Sequence, residues 1–105
     1  MIRLKEGARP IGLRPETLLA ILVAKEVWAS FGTHLVITSI NDGTHMRKSE
    51  HSTGLAFDCR THNLQPEHRP MATALLRESL GTDYDVIHEN VGTIDEHVHV
   101  EYDPL

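Results

Sequence analysis

Hydrophobic and polar positions along the chain follow two periods, one helical and one of two residues. Leu18, Leu19, Leu22, Val23, Val27 and Trp28 recur at helical spacing and predict a helix opened by Arg14-Pro15-Glu16 and closed by Gly32. Proline is tolerated in a first turn, where its missing N–H costs nothing, and Glu16 complements the positive helix end. A second helix is predicted over 66–80, with Gln65 or Pro66 at its start and Gly81 at its end. The run from His34 to Ser39 is rich in β-branched residues and predicts a strand. In 54–60 the period is two: Leu55, Phe57 and Cys59 share one side, Ala56 and Asp58 the other. Two further strands are predicted over 84–89 and 97–102, joined by a loop around Gly92. Residues 1–13 form an extended arm with room for a short strand at Ile2 to Leu4. Asn41-Asp42-Gly43 signals a turn whose loop runs to about Ser52. The order is helix, strand, strand, helix, strand, strand, with the last pair a hairpin. The expected fold is α+β: an antiparallel sheet of about four strands with two main helices packed on one face, in a single domain over 1–105.

Composition sharpens this mainly by exclusion. The 105 residues are 40% hydrophobic and 24% charged, ordinary for a globular domain with one modest core. Net charge is −5 and the ten Lys and Arg are scattered, which argues against a nucleic-acid partner or an anionic membrane surface. The longest apolar run, Leu18 to Ala24, is far too short to span a membrane. The first residues, M-I-R-L-K-E-G, contain no apolar signal core. The expectation is a protein made in the cytoplasm without a signal peptide, which reaches any target outside the cell by other means. With one cysteine, Cys59, the chain makes no internal disulfide and no cysteine-rich zinc site. Cys59 is expected in the core.

Eight histidines are spread along the chain without forming a tract, and His34, His62 and His68 read as solvated surface residues. The chemistry gathers elsewhere. His51 and Asp58 belong to S-E-H-S-T-G-L-A-F-D, residues 49–58, and E-H-V-H follows at 96–99. An Asp within an apolar strand must be paired, hydrogen-bonded or metal-bound, because an isolated buried carboxylate is costly. Small Ala56 on the Asp58 side leaves room for a bound group. His97, His99 and Glu101 alternate with Val98 and Val100, so two imidazoles and a carboxylate line one side of the last strand. Two imidazoles and a carboxylate are the donor set of a zinc site with an open position. The same residues also suit a half-exposed strand beside an unrelated loop histidine, and the spacing alone leaves both readings open.

Taken together, the two segments resemble a known family. S-x-H-x-x-G-x-A-x-D is matched by Ser49, His51, Gly54, Ala56 and Asp58, and E/D-x-x-H by Glu96 and His99. The chain is similar here to the zinc D-Ala-D-Ala carboxypeptidases and dipeptidases. That family includes phage L-alanyl-D-glutamate endolysins and shares its fold with the hedgehog signalling domain. The resemblance implies zinc held by His51, Asp58 and His99, with Glu96 as general base. Glu96 and His99 lie three apart, on opposite sides of a regular strand, so Glu96 needs a turn or bulge that re-aims it. Asp95 has the parity but not the family spacing. His97 becomes a substrate or transition-state contact rather than a ligand, and Ser49 a further substrate-side residue. An Arg that the family carries after the strand ending in Ser is absent from T-S-I-N-D-G, residues 38–43; Arg47 is the nearest substitute.

The function expected from this resemblance is a Zn2+-dependent metallopeptidase acting on peptidoglycan stem peptides, as a D,D-carboxypeptidase or an L-Ala-D-Glu endopeptidase. The alternative is a non-catalytic zinc-binding domain on the same fold.

Overall fold

The structure, a computed structural model, describes residues 1–8, 13–41 and 55–104. Seven elements follow in order: β1 (Ile2–Leu4), α1 (Pro15–Ser30), β2 (Leu35–Asn41), β3 (Ala56–Arg60), α2 (His68–Leu80), β4 (Tyr84–Glu89) and β5 (His97–Tyr102). Both expected helices and all four expected strands form. The β4–β5 hairpin is antiparallel, and α2 starts two residues later than the sequence suggested. Gly32 and Gly81 both take positive φ where the helices end, at 83° and 82°, which glycine adopts without steric cost.

The sheet differs from expectation in strand number and direction. It has five strands in the order β1-β2-β3-β5-β4. β1 pairs with β2 in parallel, through Ile2 with Leu35 and Leu4 with Ile37. A parallel pair needs a crossover between its strands, and α1 provides it. β1 is therefore the parallel edge of a mixed sheet.

α1 also buries a different face from the expected one. Thr17, Ala20, Ile21, Ala24, Val27 and Trp28 are buried, whereas Leu18, Leu19 and Leu22 are 48%, 56% and 46% exposed. The stretch 18–24 is apolar all round, so hydrophobicity alone does not choose a face. Packing chooses the one where Ala20 and Ala24 allow close approach. That face joins Leu35, Ile37, Phe57, Cys59, Val86, Val98 and Val100 from the sheet and Ala72 and Leu76 from α2 in a single core. Long-range bonds tie the layers: Trp28 Nε1–H donates to the Arg60 carbonyl, and the Tyr84 hydroxyl donates to the Glu16 carbonyl.

With both helices on the Phe57 and Val98 side, alternation sends Asp58, His97, His99 and Glu101 to the other side. No described helix is long and apolar enough to cross a membrane.

Candidate metal centre

Strand register assembles the polar side in rows. Asp58 lies opposite His99, Arg60 opposite His97 and Ala56 opposite Glu101. On the far side of β5, His97 faces Glu89 and Glu101 faces Asp85. β2 adds Ser39 opposite Asp58 through an irregularity between Ile37 and Ser39. In a regular strand these two would share a side. The extra residue leaves Ile37 opposite Cys59 and Ile40 opposite Phe57, on the core side, and turns Ser39 toward Asp58.

Asp58 and His99 meet directly. His99 Nδ1 lies 2.7 Å from Asp58 Oδ1, and the Ser39 hydroxyl donates to Asp58 Oδ2 at 3.2 Å. The other ring nitrogen, Nε2, lies 2.9 Å from Glu101 Oε1, and Glu101 is wholly buried. The Asp58 hydrogen bond pushes the His99 pKa up to about 9, against burial and with help from Glu101. The metal-free ring is therefore an imidazolium at neutral pH, with a proton on each nitrogen. A metal binding at Nδ1 displaces one of those protons.

His97 flanks this pair. Its Nε2 lies 3.1 Å from Glu89 Oε1 and 3.8 Å from Asp58 Oδ1, and Nδ1 donates to the Asp95 carbonyl. Asp58, Glu89 and His99 each offer one ligand atom, all within 4.8 Å of one another. These groups could hold a metal ion. A second such group, Asp85, Glu101 and Asp103, is purely acidic.

Glu96 stands one residue before β5, at the groove that Asp58 and His97 line. It is 5% exposed, and both of its oxygens are engaged on the helix side. Oε1 accepts from Arg69 Nη1 at 3.1 Å and from the Gly92 N–H at 3.2 Å; Oε2 accepts from His88 Nε2 at 2.6 Å. Burial alone would raise its pKa, but the His88 and Gly92 bonds and the Arg69 charge hold it below the usual carboxylate range. Arg69 Nε also donates to the Thr61 and Leu64 carbonyls. The Arg69–Glu96 pair thus ties α2 to the segments before and after it. Among the described residues, no hydrogen bond joins Glu96 to Asp58 or His99.

His51, Ser49 and Arg47 lie outside the described residues, as do Gly54 and the turn at Asp42-Gly43. Cys59 is in the core as expected: fully buried, its thiol contacting the Val98 carbonyl at 3.6 Å, its pKa pushed well up by burial and the nearby Asp58 charge.

A groove of about 370 Å3 opens beside the pair, lined by Asp58, His97 and Glu96 together with Lys5, Arg60 and Asp95. Among the described residues, no carboxylate forms an ion pair with Lys5 or Arg60. Sequence reasoning missed Glu89, Lys5, Arg60 and the Arg69–Glu96–His88 cluster. The only available signal for Glu89 was the period of two in β4, which puts it on a side with Asp85 once the hairpin register is known. Comparisons of the chain with family models, with curated proteins and with solved structures each find no match.

Proposed function

We propose that the protein is a zinc-dependent peptidase acting on peptidoglycan stem peptides, with His51, Asp58 and His99 as the ligand set. The observation that carries this reading is the contact of Asp58 with His99, two residues 41 apart in sequence whose donor atoms converge at 2.7 Å. The donor chemistry fits: one carboxylate oxygen and one imidazole nitrogen share a sheet face, and the motif around Asp58 supplies a second imidazole in His51. Zinc held there would acidify a water molecule and polarise the scissile carbonyl.

The remaining residues serve that corner. Ser39 orients Asp58, and Glu101 holds the far nitrogen of His99, the kind of outer partner that fixes a ligating ring. Lys5 and Arg60 give the groove two cations that no carboxylate among the described residues pairs with, suited to the carboxylates of stem peptides. Peptidoglycan fragments incubated with zinc-loaded protein and read by mass spectrometry test the proposal. New termini at a bond to a D-amino acid support it. Zinc binding without any cleavage favours the second reading, a non-catalytic zinc-binding domain. The specific observation behind that second reading is the engagement of Glu96 by Arg69 and His88.

A further inference from the structure

We propose that His88 is the positioning residue of the general base: it holds Glu96 by Oε2, so that this oxygen takes the proton from the attacking water. The proposal rests on the peptidase reading, with Glu96 in the role the motif gives it, and deepens it. An ionised carboxylate carries about four acceptor sites, two on each oxygen, and no proton of its own. Glu96 Oε1 fills both of its sites, with Arg69 Nη1 at 3.1 Å and the Gly92 N–H at 3.2 Å. Among the described residues, Oε2 accepts from His88 Nε2 alone, at 2.6 Å, and keeps its second site open. The proton in that contact sits on Nε2, which donates.

The setting of Glu96 gives that bond its importance. The groove that holds Asp58 and His97 and a second cavity of about 300 Å3 share Glu96. Its three donors, Arg69, His88 and Gly92, all line the second cavity. The open site on Oε2 is the one left for a water in the groove. The backbone here is fixed independently of the side chain. The Glu96 N–H donates to the Thr93 carbonyl, and the Glu96 carbonyl accepts from the Thr61 hydroxyl. Aim is therefore left to the partners of the carboxylate. His88 reaches it from β4, where register sets it opposite Val98, and its side chain is 13% exposed. A base must also wait in its ionised form. Burial opposes the charge on Glu96, and the His88 bond leads the Gly92 N–H and the Arg69 charge in outweighing it.

The step balances without any further reactant. The water oxygen bonds to the carbonyl carbon while its proton passes to Glu96 Oε2. The C–N bond then breaks and Oε2 delivers the proton to the leaving nitrogen, giving one carboxylic acid and one amine. His88 keeps its own proton throughout.

The experiment compares the full-length wild type with His88→Ala, His88→Leu, His88→Gln and Glu96→Gln, and with His88→Ala combined with Glu96→Gln. Alanine and leucine both delete the donor, one leaving a cavity and one filling it; glutamine returns an N–H near the Nε2 position. Circular dichroism follows folding, chelator competition gives zinc affinity, and kcat and KM are measured on a purified stem peptide. Deleting the donor should lower kcat on the order of 10-fold, the worth of one hydrogen bond to a charged group, with KM and zinc affinity within about threefold of wild type. His88→Gln should recover most of that loss, and His88→Ala should cost nothing further once Glu96→Gln is present. Nitrogen NMR spectra of the metal-free protein should show a proton on His88 Nε2. A ring protonated at Nδ1 alone overturns the assignment. So does an unchanged kcat without the donor, a glutamine variant no better than alanine, or an equal loss in the Glu96→Gln background. Failure of both His88→Ala and His88→Leu to fold makes the contact a structural one and overturns it too. A wild type that binds no zinc, or binds zinc and cleaves nothing, brings down the peptidase reading itself, and the His88 assignment with it.

Discussion

His99 stands between two carboxylates, with Nδ1 2.7 Å from Asp58 Oδ1 and the opposite nitrogen on Glu101. That bracket makes the metal-free fold sensitive to pH. The folded pKa, about 9, lies above the ordinary value of 6.5. The stabilisation is therefore complete below pH 6.5 and is lost as pH rises through about 9. Thermal melts of metal-free protein should show the melting temperature falling across this window, and Asp58→Asn should flatten the fall. A wild-type profile flat over the same range would contradict the bracket. Because bound metal takes the place of a His99 proton, zinc affinity should rise across the same window.

Arg69 and Glu96 form a partly buried ion pair, with side chains 17% and 3% exposed. Removing one partner of such a pair leaves a buried charge and costs ~3 kcal/mol. Arg69→Ala should lower the stability measured by urea unfolding by about that amount, without changing zinc stoichiometry. A loss below ~1 kcal/mol would show that the cluster does not hold α2 against its neighbouring segments.

Cys59 should resist thiol reagents in the native state, because it is fully buried and its thiol is held protonated. Reaction with a colorimetric disulfide reagent is expected only after denaturation. Rapid labelling of native protein would place Cys59 outside the core.

Arg60 lies opposite His97 in the register and lines the groove with Lys5. Arg60→Ala should raise KM for stem peptides that carry a free carboxylate by ~10-fold, the loss of one charge-assisted contact of about 1.4 kcal/mol, and leave kcat nearly unchanged. Equal KM values for wild type and variant would remove Arg60 from substrate capture.

Much of the fold was legible because period and punctuation agreed. The strand around Phe57 and the strand around Val98 alternate cleanly, so their polar sides, and with them the Asp58 and His99 positions, follow from parity alone. Four features were not legible, each for a physical reason. Residues 18–24 are apolar all round, so the buried face of α1 depended on the fit of Ala20 and Ala24 rather than on pattern. The sequence left room for β1 at Ile2 to Leu4, but its parallel pairing with β2 is a long-range partnership with no local signal. The Glu96 carboxylate turns to Arg69, which is distant in sequence and part of a helix that the motif does not include. The bulge that brings Ser39 to Asp58 was equally silent, since inserting one residue in a strand changes sides without changing composition.

The claim on which the rest depends is that Asp58 and His99 bind a metal together. Zinc competition titrations of untagged wild type, Asp58→Ala and His99→Ala address it directly. The wild type is expected to bind one zinc per chain, and each variant to bind it at least ~100-fold more weakly, with circular dichroism confirming that both remain folded. Folded variants that bind zinc as tightly as the wild type, or a wild type that binds none, would contradict it.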